Sequence, residues 1–430
     1  MKFGHYPEPV GAIRVRDFQL RNPMGGWVTE TGRDEAFRSF QFMGAVSEGM
    51  AIGCAVTKTQ HIMSAFAYTW FGDEFSQLRL GSRDGDTAEF ADDPDRGKTE
   101  LRTGKGTVTM ESEGNEKHLI VKSDSLQIEL TFSEESTDTL RLCTPAGPTG
   151  WSYVQKVVAV DATGSFTVSG VTTELSNFAA LAHHDYTTGF LRSETWWHWA
   201  CIAGRLPDDR TLGLNVSCGT NESGYRENSV WLGGKRFALG GALFEFDHDE
   251  IESDWRIYGT ERDFELFFSA GHGYHANGAS PKMSSDFHQL FGSFEGWVDI
   301  DSQRVDLKAQ PGFTAHGTHY AYMADVSLDA CRAKCEATGC RCFDFWVLPT
   351  SRDIINQTKW NSQKRPYLDK FEAPEALDRC IRILVSRRIF LAIVQNRLIL
   401  TGCTTKTADI LGLENYKPIY WVWKITRNID

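Results

Sequence analysis

Residues 169–231 read SGVTTELSNFAALAHHDYTTGFLRSETWWHWACIAGRLPDDRTLGLNVSCGTNESGYRENSVW. A Ser169-Gly170 turn leads to the polar cluster His183-His184-Asp185-Tyr186. Gly189 follows, and Glu194-Thr195-Trp196-Trp197-His198-Trp199 opens an apolar strand. No other stretch of the chain brings titratable and aromatic side chains together so densely. Alternate strand positions share a face, so Trp197 and Trp199 lie on one side and Trp196 and His198 on the other. One pair lines a barrel core; the other faces solvent, a neighbouring domain or a ligand.

Outward from this segment the same period of two recurs. Val154 to Val160, Arg236 to Leu239, Leu243 to Phe246, Trp255 to Tyr258 and Phe264 to Phe268 read as strands, and Phe287 to Ile300 and Arg304 to Leu307 close the set. Upstream, Phe40–Val46 and Met50–Val56 flank a Ser-Glu-Gly turn, as in a hairpin. Gly106–Met110, His118–Lys122 and Leu126–Phe132 alternate with one apolar face. Residues 81–104 are polar and acidic and read as a loop, and residues 1–40 as irregular. Strands every 10 to 12 residues with no helix between them predict an antiparallel barrel or sandwich. The Pro145-Ala146-Gly147-Pro148-Thr149-Gly150 stretch is the best linker candidate. The expected organisation is therefore a β domain over 1–150, a second over 151–325 and a cysteine-rich extension over 326–430.

The extension differs in style. Six of the 10 cysteines fall between Cys331 and Cys403. Ser327 can cap a helix ending at Gly339, which puts Cys331 and Cys335 on one face; Cys340 and Cys342 would share a strand face. Disulfides, free thiols and a zinc site stay open for these four, although their spacing fits a zinc knuckle poorly. Residues 390–401 fit a hairpin or a helix. Cys54, Cys143, Cys201 and Cys218 are isolated in apolar strands and read as buried free thiols.

Composition limits the partners. Apolar content of 41% and charged content of 24% suit a globular protein, while 13 Trp and 27 Phe fit large rings filling β cores. The net charge of −12, spread without runs, argues against nucleic acid. No window is long and apolar enough for a membrane span, and the first residues lack a signal-peptide run, so a cytoplasmic protein is expected, or an extracellular one if residue 1 is not the true start. No Gly-rich phosphate loop, nucleophile elbow, HExxH or EF-hand is present, so no cofactor is expected. His272 and His275, in a Gly271–Gly278 segment that reads as a flexible loop, are spaced to share a metal, but no third ligand is evident nearby, and no metal is expected.

Asp185 is the first candidate for chemistry. In an apolar cavity its pKa would rise and it could donate a proton to an alkene or carbonyl; alternatively it is a buried structural acid at a strand end. His184 would orient that acid or act as the base, or else is a loop histidine. Tyr186, Trp197, His198, Trp199 and Asn215 are candidate ligand contacts. Glu227 and Asn228 either join them or hold a turn.

Several separated motifs in this order resemble the DUF2804 family (domain of unknown function 2804). They are Gly189, Trp197-His198-Trp199-Ala200, Gly213-Leu214-Asn215-Val216, Glu227-Asn228 before Trp231, Trp255-Arg256, Leu266-Phe267-Phe268 and Gln289–Gly296. The resemblance covers residues 5 to 322. Gly170, Asp185, Gly189 and Trp197-x-Trp199 are also similar to a wider group: carotenoid 1,2-hydratases, lipocalin-like Diels–Alder cyclases and AttH-like proteins. That resemblance implies two lipocalin-like barrels packed together and an apolar small molecule (a lipid or isoprenoid), transformed by Asp185 without a cofactor or simply carried. His183-His184-Asp185-Tyr186 keeps the acid of the group's Trp-x-Asp-His-Glu-Trp-Gly pattern but lacks the His-Glu after it. Cys331, Cys335, Cys340 and Cys342 resemble the cysteine core of PAN/apple modules, which implies disulfides and a protein partner for the extension.

Overall fold

The computed structural model describes residues 1–192, 194–220, 224–280, 283–321, 390–394 and 397–401. The chain divides into two compact units, Met1–Met323 and Ala324–Asp430. In the second, Phe390–Val394 pairs antiparallel with Arg397–Thr401. Cys331, Cys335, Cys340 and Cys342, with the PAN-like helix and strand expected around them, lie outside the described residues.

The first unit is almost entirely antiparallel β, in two curled sheets. The first sheet contains two meanders, Phe37–Ser47 to Glu74–Gly81 and Thr87–Glu89 to Leu126–Ser133. They meet through the neighbouring strands Gly150–Val168 and Leu181–Phe190, which pair with each other between the meanders. The sheet curls until Glu74–Gly81 approaches Arg96–Thr103. One core therefore draws Met43, Ile52, Leu80, Leu101, Leu119, Ile128, Val157 and Ala182 from around the whole sheet. The second sheet holds nine strands, with Glu194–Arg205 and Gln303–Ala321 adjacent near its middle. It closes over Ile202, Leu214, Trp255, Phe268 and Phe294.

A third apolar layer joins the two sheets. Phe42, Val154 and Val158 of the first sheet pack with Cys201, Phe291 and Phe313 of the second. Neighbours on one strand thus serve different cores: Phe42 faces this layer while Met43 faces the first barrel. Both faces are buried, so these strands are nearly continuous apolar runs. The passage between sheets falls between Phe190 and Glu194, whereas Pro145–Gly150 closes a hairpin inside the first sheet, Ala146 opposite Gly150. Gly189 prepares the passage. Its φ of 152° is one that only glycine adopts readily, and a Cβ there would meet the carbonyl of Trp151.

Three expectations are corrected. The polar residues 81–104 include the strands Thr87–Glu89 and Arg96–Thr103. Polarity misled because Thr99 is fully buried yet satisfied, its hydroxyl donating to Gln41 Oε1 at 2.8 Å. The His272–Gly278 segment is not a loop but part of the long strand Phe264–Ser280. Within residues 1–40 there is a seven-residue helix, Glu30–Ala36, whose first turn is capped by Thr29 Oγ1 accepting from the Gly32 amide. Cys54, Cys143, Cys201 and Cys218 are all buried. Among the described residues no helix is long and apolar enough to cross a membrane.

Candidate functional site

Beside the layer that joins the sheets, Lys156 lies between two carboxylates. Lys156 sits in the apolar run Trp151–Val160 and is 4% exposed. A buried ammonium requires partners. Register supplies the first, because Lys156 is directly opposite Asp185 on the neighbouring strand. Its Nζ is 3.0 Å from Asp185 Oδ2 and 3.0 Å from Glu227 Oε1. It also donates to Asn215 Oδ1 at 3.4 Å and lies 4.5 Å from the centre of the Trp199 ring.

The second sheet frames this centre with hydrogen bonds. Trp199 Nε1 donates to Asn215 Oδ1 at 2.7 Å, and Ser217 Oγ donates to Glu227 Oε1 at 2.6 Å. Asn215 Nδ2 donates to the Glu227 carbonyl. Asn228 is one step out: its Oδ1 accepts from the Ser217 amide and its Nδ2 donates to the Gly240 carbonyl, fixing the segment that carries Glu227. Thr187 Oγ1 donates to Asp185 Oδ1 at 2.9 Å. Asp185 and Lys156 come from the first sheet; Trp199, Asn215, Ser217 and Glu227 come from the second side of the layer.

The electrostatics follow from the count of charges. Burial alone would depress the Lys156 ammonium, but Asp185 and Glu227 outweigh it and hold its pKa above the ordinary lysine range. Asp185 goes the other way for an acid in an ion pair. Burial pushes its pKa up, the attraction of Lys156 opposes this only in part, and Glu227 pushes it up further. For Asp185 the attraction of Lys156, which it shares with Glu227, offsets only part of the cost of burial. The result is a carboxyl group that takes a proton more readily than a surface aspartate.

Beside Asp185 on the same face, His183 stacks on Phe42 at 5.2 Å and tilts against Phe313. Among the described residues neither of its ring nitrogens has a hydrogen-bond partner, and burial pushes its pKa down to about 3. Gly44 makes room for it, since a Cβ there would sit 2.7 Å from His183 Nε2.

His184 does not share this site. Successive strand residues point to opposite faces, so it turns into the first barrel, where Nδ1 lies 2.9 Å from Glu134 Oε1 and Nε2 3.4 Å from Gln41 Nε2. It neither orients Asp185 nor acts as its base. Tyr186 also faces away and donates to the Ala91 carbonyl at 3.0 Å. Of the tryptophan pair, Trp199 reaches the lysine, while Trp197 covers Gly317 and Phe287. His198 lies inside the second sheet among Phe244, Phe246 and Trp255, and burial, with His316 and His248, depresses its pKa to about 4. The residues missed from the sequence are Lys156 and Ser217. A lone lysine in the middle of an apolar strand was the available signal for the first. Ser217 carried none.

Two surface recesses lie elsewhere. One, of about 650 Å³, is formed by the hairpin ends Thr103–Gly106 and Lys122–Asp124. The other, of about 350 Å³, lies beside Pro9, Asp93 and Arg141. At a third place, on the second sheet, His275, Asp286 and His288 could hold a metal ion.

The DUF2804 sequence profile (domain of unknown function) matches residues 35–318. No protein with a curated description is matched. Among solved structures, the chain is similar to kievitone hydratase from Nectria haematococca, with a TM-score of 0.42 and 11% identity over 75% of this chain and 100% of that one. CghA with Sch210972 gives a TM-score of 0.44 and 11% identity, covering 74% and 96% of the two chains. A protein assigned as AttH from Nitrosomonas europaea gives 0.42 and 11%, covering 66% and 92%.

Proposed function

The chain belongs to the DUF2804 family, and from that premise we propose a cofactor-independent enzyme that moves a proton on a largely apolar small molecule, with Asp185 as the proton carrier. The substrate class is lipid- or isoprenoid-like, and the reaction is a hydration, an isomerisation or a cyclisation, each of which needs one positioned acid or base. The observation that carries this reading is the upward displacement of the Asp185 carboxyl by burial even though Lys156 is bonded to it. Trp199, Phe42 and Phe313 provide apolar surface around it. Lys156 and Glu227 would balance charge as the proton leaves and returns. Asp185 is 5% exposed, so a substrate reaches it by displacing part of the ring layer at Trp199.

A second reading, a non-catalytic carrier in which the cluster only clamps the sheets, has one observation in its favour. Both Asp185 oxygens are already occupied, one by Lys156 and one by Thr187. Mass spectrometry of small molecules extracted from the purified protein supplies the ligand with which to decide. Asp185→Asn then keeps shape but removes the proton. For the enzyme, turnover of that compound is abolished while its affinity stays within about twofold. For the clamp, stability falls by about 1–3 kcal/mol through a mismatched buried hydrogen bond and no turnover is seen with either protein.

A further inference from the structure

The second sheet carries a row of imidazoles that the Asp185 site does not use. His275 is directly opposite His288, His288 is opposite His316, and His316 is opposite His198. Directly opposed residues share a face, so the row crosses neighbouring strands on one side of the sheet. At its outer end stands Asp286, two residues before His288 and on the same face. His275 Nε2 is 2.7 Å from Asp286 Oδ1, and His288 Nε2 is 3.6 Å from Asp286 Oδ2. The two rings stack at 4.0 Å, only 13° from parallel. One donor atom from each residue lies within 4.8 Å of the others.

We propose that His275, Asp286 and His288 bind a divalent transition-metal ion of the zinc class, with at least one coordination position open to water. Two imidazoles and one carboxylate are donors that suit zinc, cobalt and nickel rather than calcium or magnesium. Zinc–ligand bonds of about 2.0–2.2 Å place tetrahedral ligands about 3.3 Å apart, and the two observed separations bracket that value. The widest pair closes by side-chain rotation, since His275 and Asp286 are about half exposed. The same exposure gives an ion a path from water. The backbone beneath is firm: His275 and His288 are held in one ladder, and Arg79 Nη2 donates to the His275 carbonyl at 2.8 Å.

Sequence spacing pairs His275 with His272, but three residues apart on one regular strand they face opposite sides of the sheet. His272 stacks against Trp70 and Phe75 instead. The other two ligands, Asp286 and His288, come from across the hairpin, where spacing along the chain does not show them. This site is independent of the role assigned to Asp185.

The test is titration of the tag-free full chain with Co²⁺ and with Zn²⁺, followed by calorimetry and by the visible spectrum of the cobalt form. One saturable site is expected, with a nitrogen–oxygen spectrum that lacks a thiolate charge-transfer band. His288→Ala, His275→Gln and Asp286→Asn should each weaken binding by more than the roughly tenfold that even outer-shell partners contribute, and His272→Ala should leave it within about twofold. Circular dichroism of each variant confirms folding, and loss of binding must appear in the folded variants. No saturable binding, a thiolate band, or affinity unchanged in His288→Ala and Asp286→Asn overturns the proposal.

Discussion

Replacing Lys156 by methionine retains an unbranched side chain of similar length and removes only the ammonium between Asp185 and Glu227. Both carboxylates stay buried, Asp185 at 5% and Glu227 at 2% exposure. Removing one partner of a buried ion pair costs about 3–5 kcal/mol, because the charge left behind has no compensation. At pH 8 Lys156→Met should therefore lose at least this much, a large part of the 5–15 kcal/mol that holds a typical domain together. The sign of the pH dependence follows from the direction of the Asp185 shift. A carboxyl whose folded pKa is raised binds more protons folded than unfolded, so its contribution is favourable at low pH and is lost as pH rises through the folded pKa. Without the lysine that pKa rises further. The deficit of the variant should thus shrink as pH falls from 8 towards the unfolded carboxylate range of about 4. Urea denaturation of wild type and Lys156→Met at pH 8, 6 and 5 reads this directly. Adding Asp185→Asn to Lys156→Met should recover part of the loss, since the two positions are in contact and their effects do not add. A deficit below about 1 kcal/mol at pH 8, or one that is the same at pH 5, would refute the shared-ammonium cluster.

Two further perturbations probe the layer around that cluster. His183→Phe removes two buried ring nitrogens without partners and should be neutral or stabilising at pH 7. Because burial holds its folded pKa at about 3, wild-type stability falls as pH drops below the unfolded value of 6.5. Between pH 6.5 and 5 the variant should keep about 2 kcal/mol that wild type loses, seen in acid-dependent thermal melts; equal acid sensitivity would count against a neutral, buried His183. Gly189→Ala forces a side chain into a φ of 152° and against the Trp151 carbonyl. It should lower stability by about 1–3 kcal/mol in chemical denaturation, and a smaller loss would show that the strand end relaxes.

Most of the fold was legible in period-two alternation, because each barrel strand has one face on a core. Legibility failed where that contrast disappears. Arg96–Thr103 is polar yet buries Thr99, Glu100 and Leu101 at its centre, the Thr99 hydroxyl and Glu100 carboxylate being satisfied within the sheet. Pro145–Gly150 carries a strong turn signal, but a turn signal does not say whether the chain stays in the same sheet, and here it does. Of the candidate site, Asp185, Trp199, Asn215 and Glu227 were named from the sequence and converge on one point. His184 was misplaced although the alternation rule, applied to His184-Asp185 as strictly as to the tryptophans, separates them. Lys156 is hidden because Val154–Val160 reads as a strand whatever residue stands in its middle. A buried ammonium requires acidic partners, which lie far away in sequence at Asp185 and Glu227.

The central assignment, Asp185 as proton carrier, is tested most directly by solvent isotope incorporation. Purified full-length protein is incubated in D₂O with the small molecules it co-purifies, beside Asp185→Asn and a protein-free control, and each compound is examined by mass spectrometry. The expected result is carbon-bound deuterium in one compound with wild type, and none above the control with Asp185→Asn. Deuterium appearing equally with both proteins, or with neither, would contradict a catalytic Asp185.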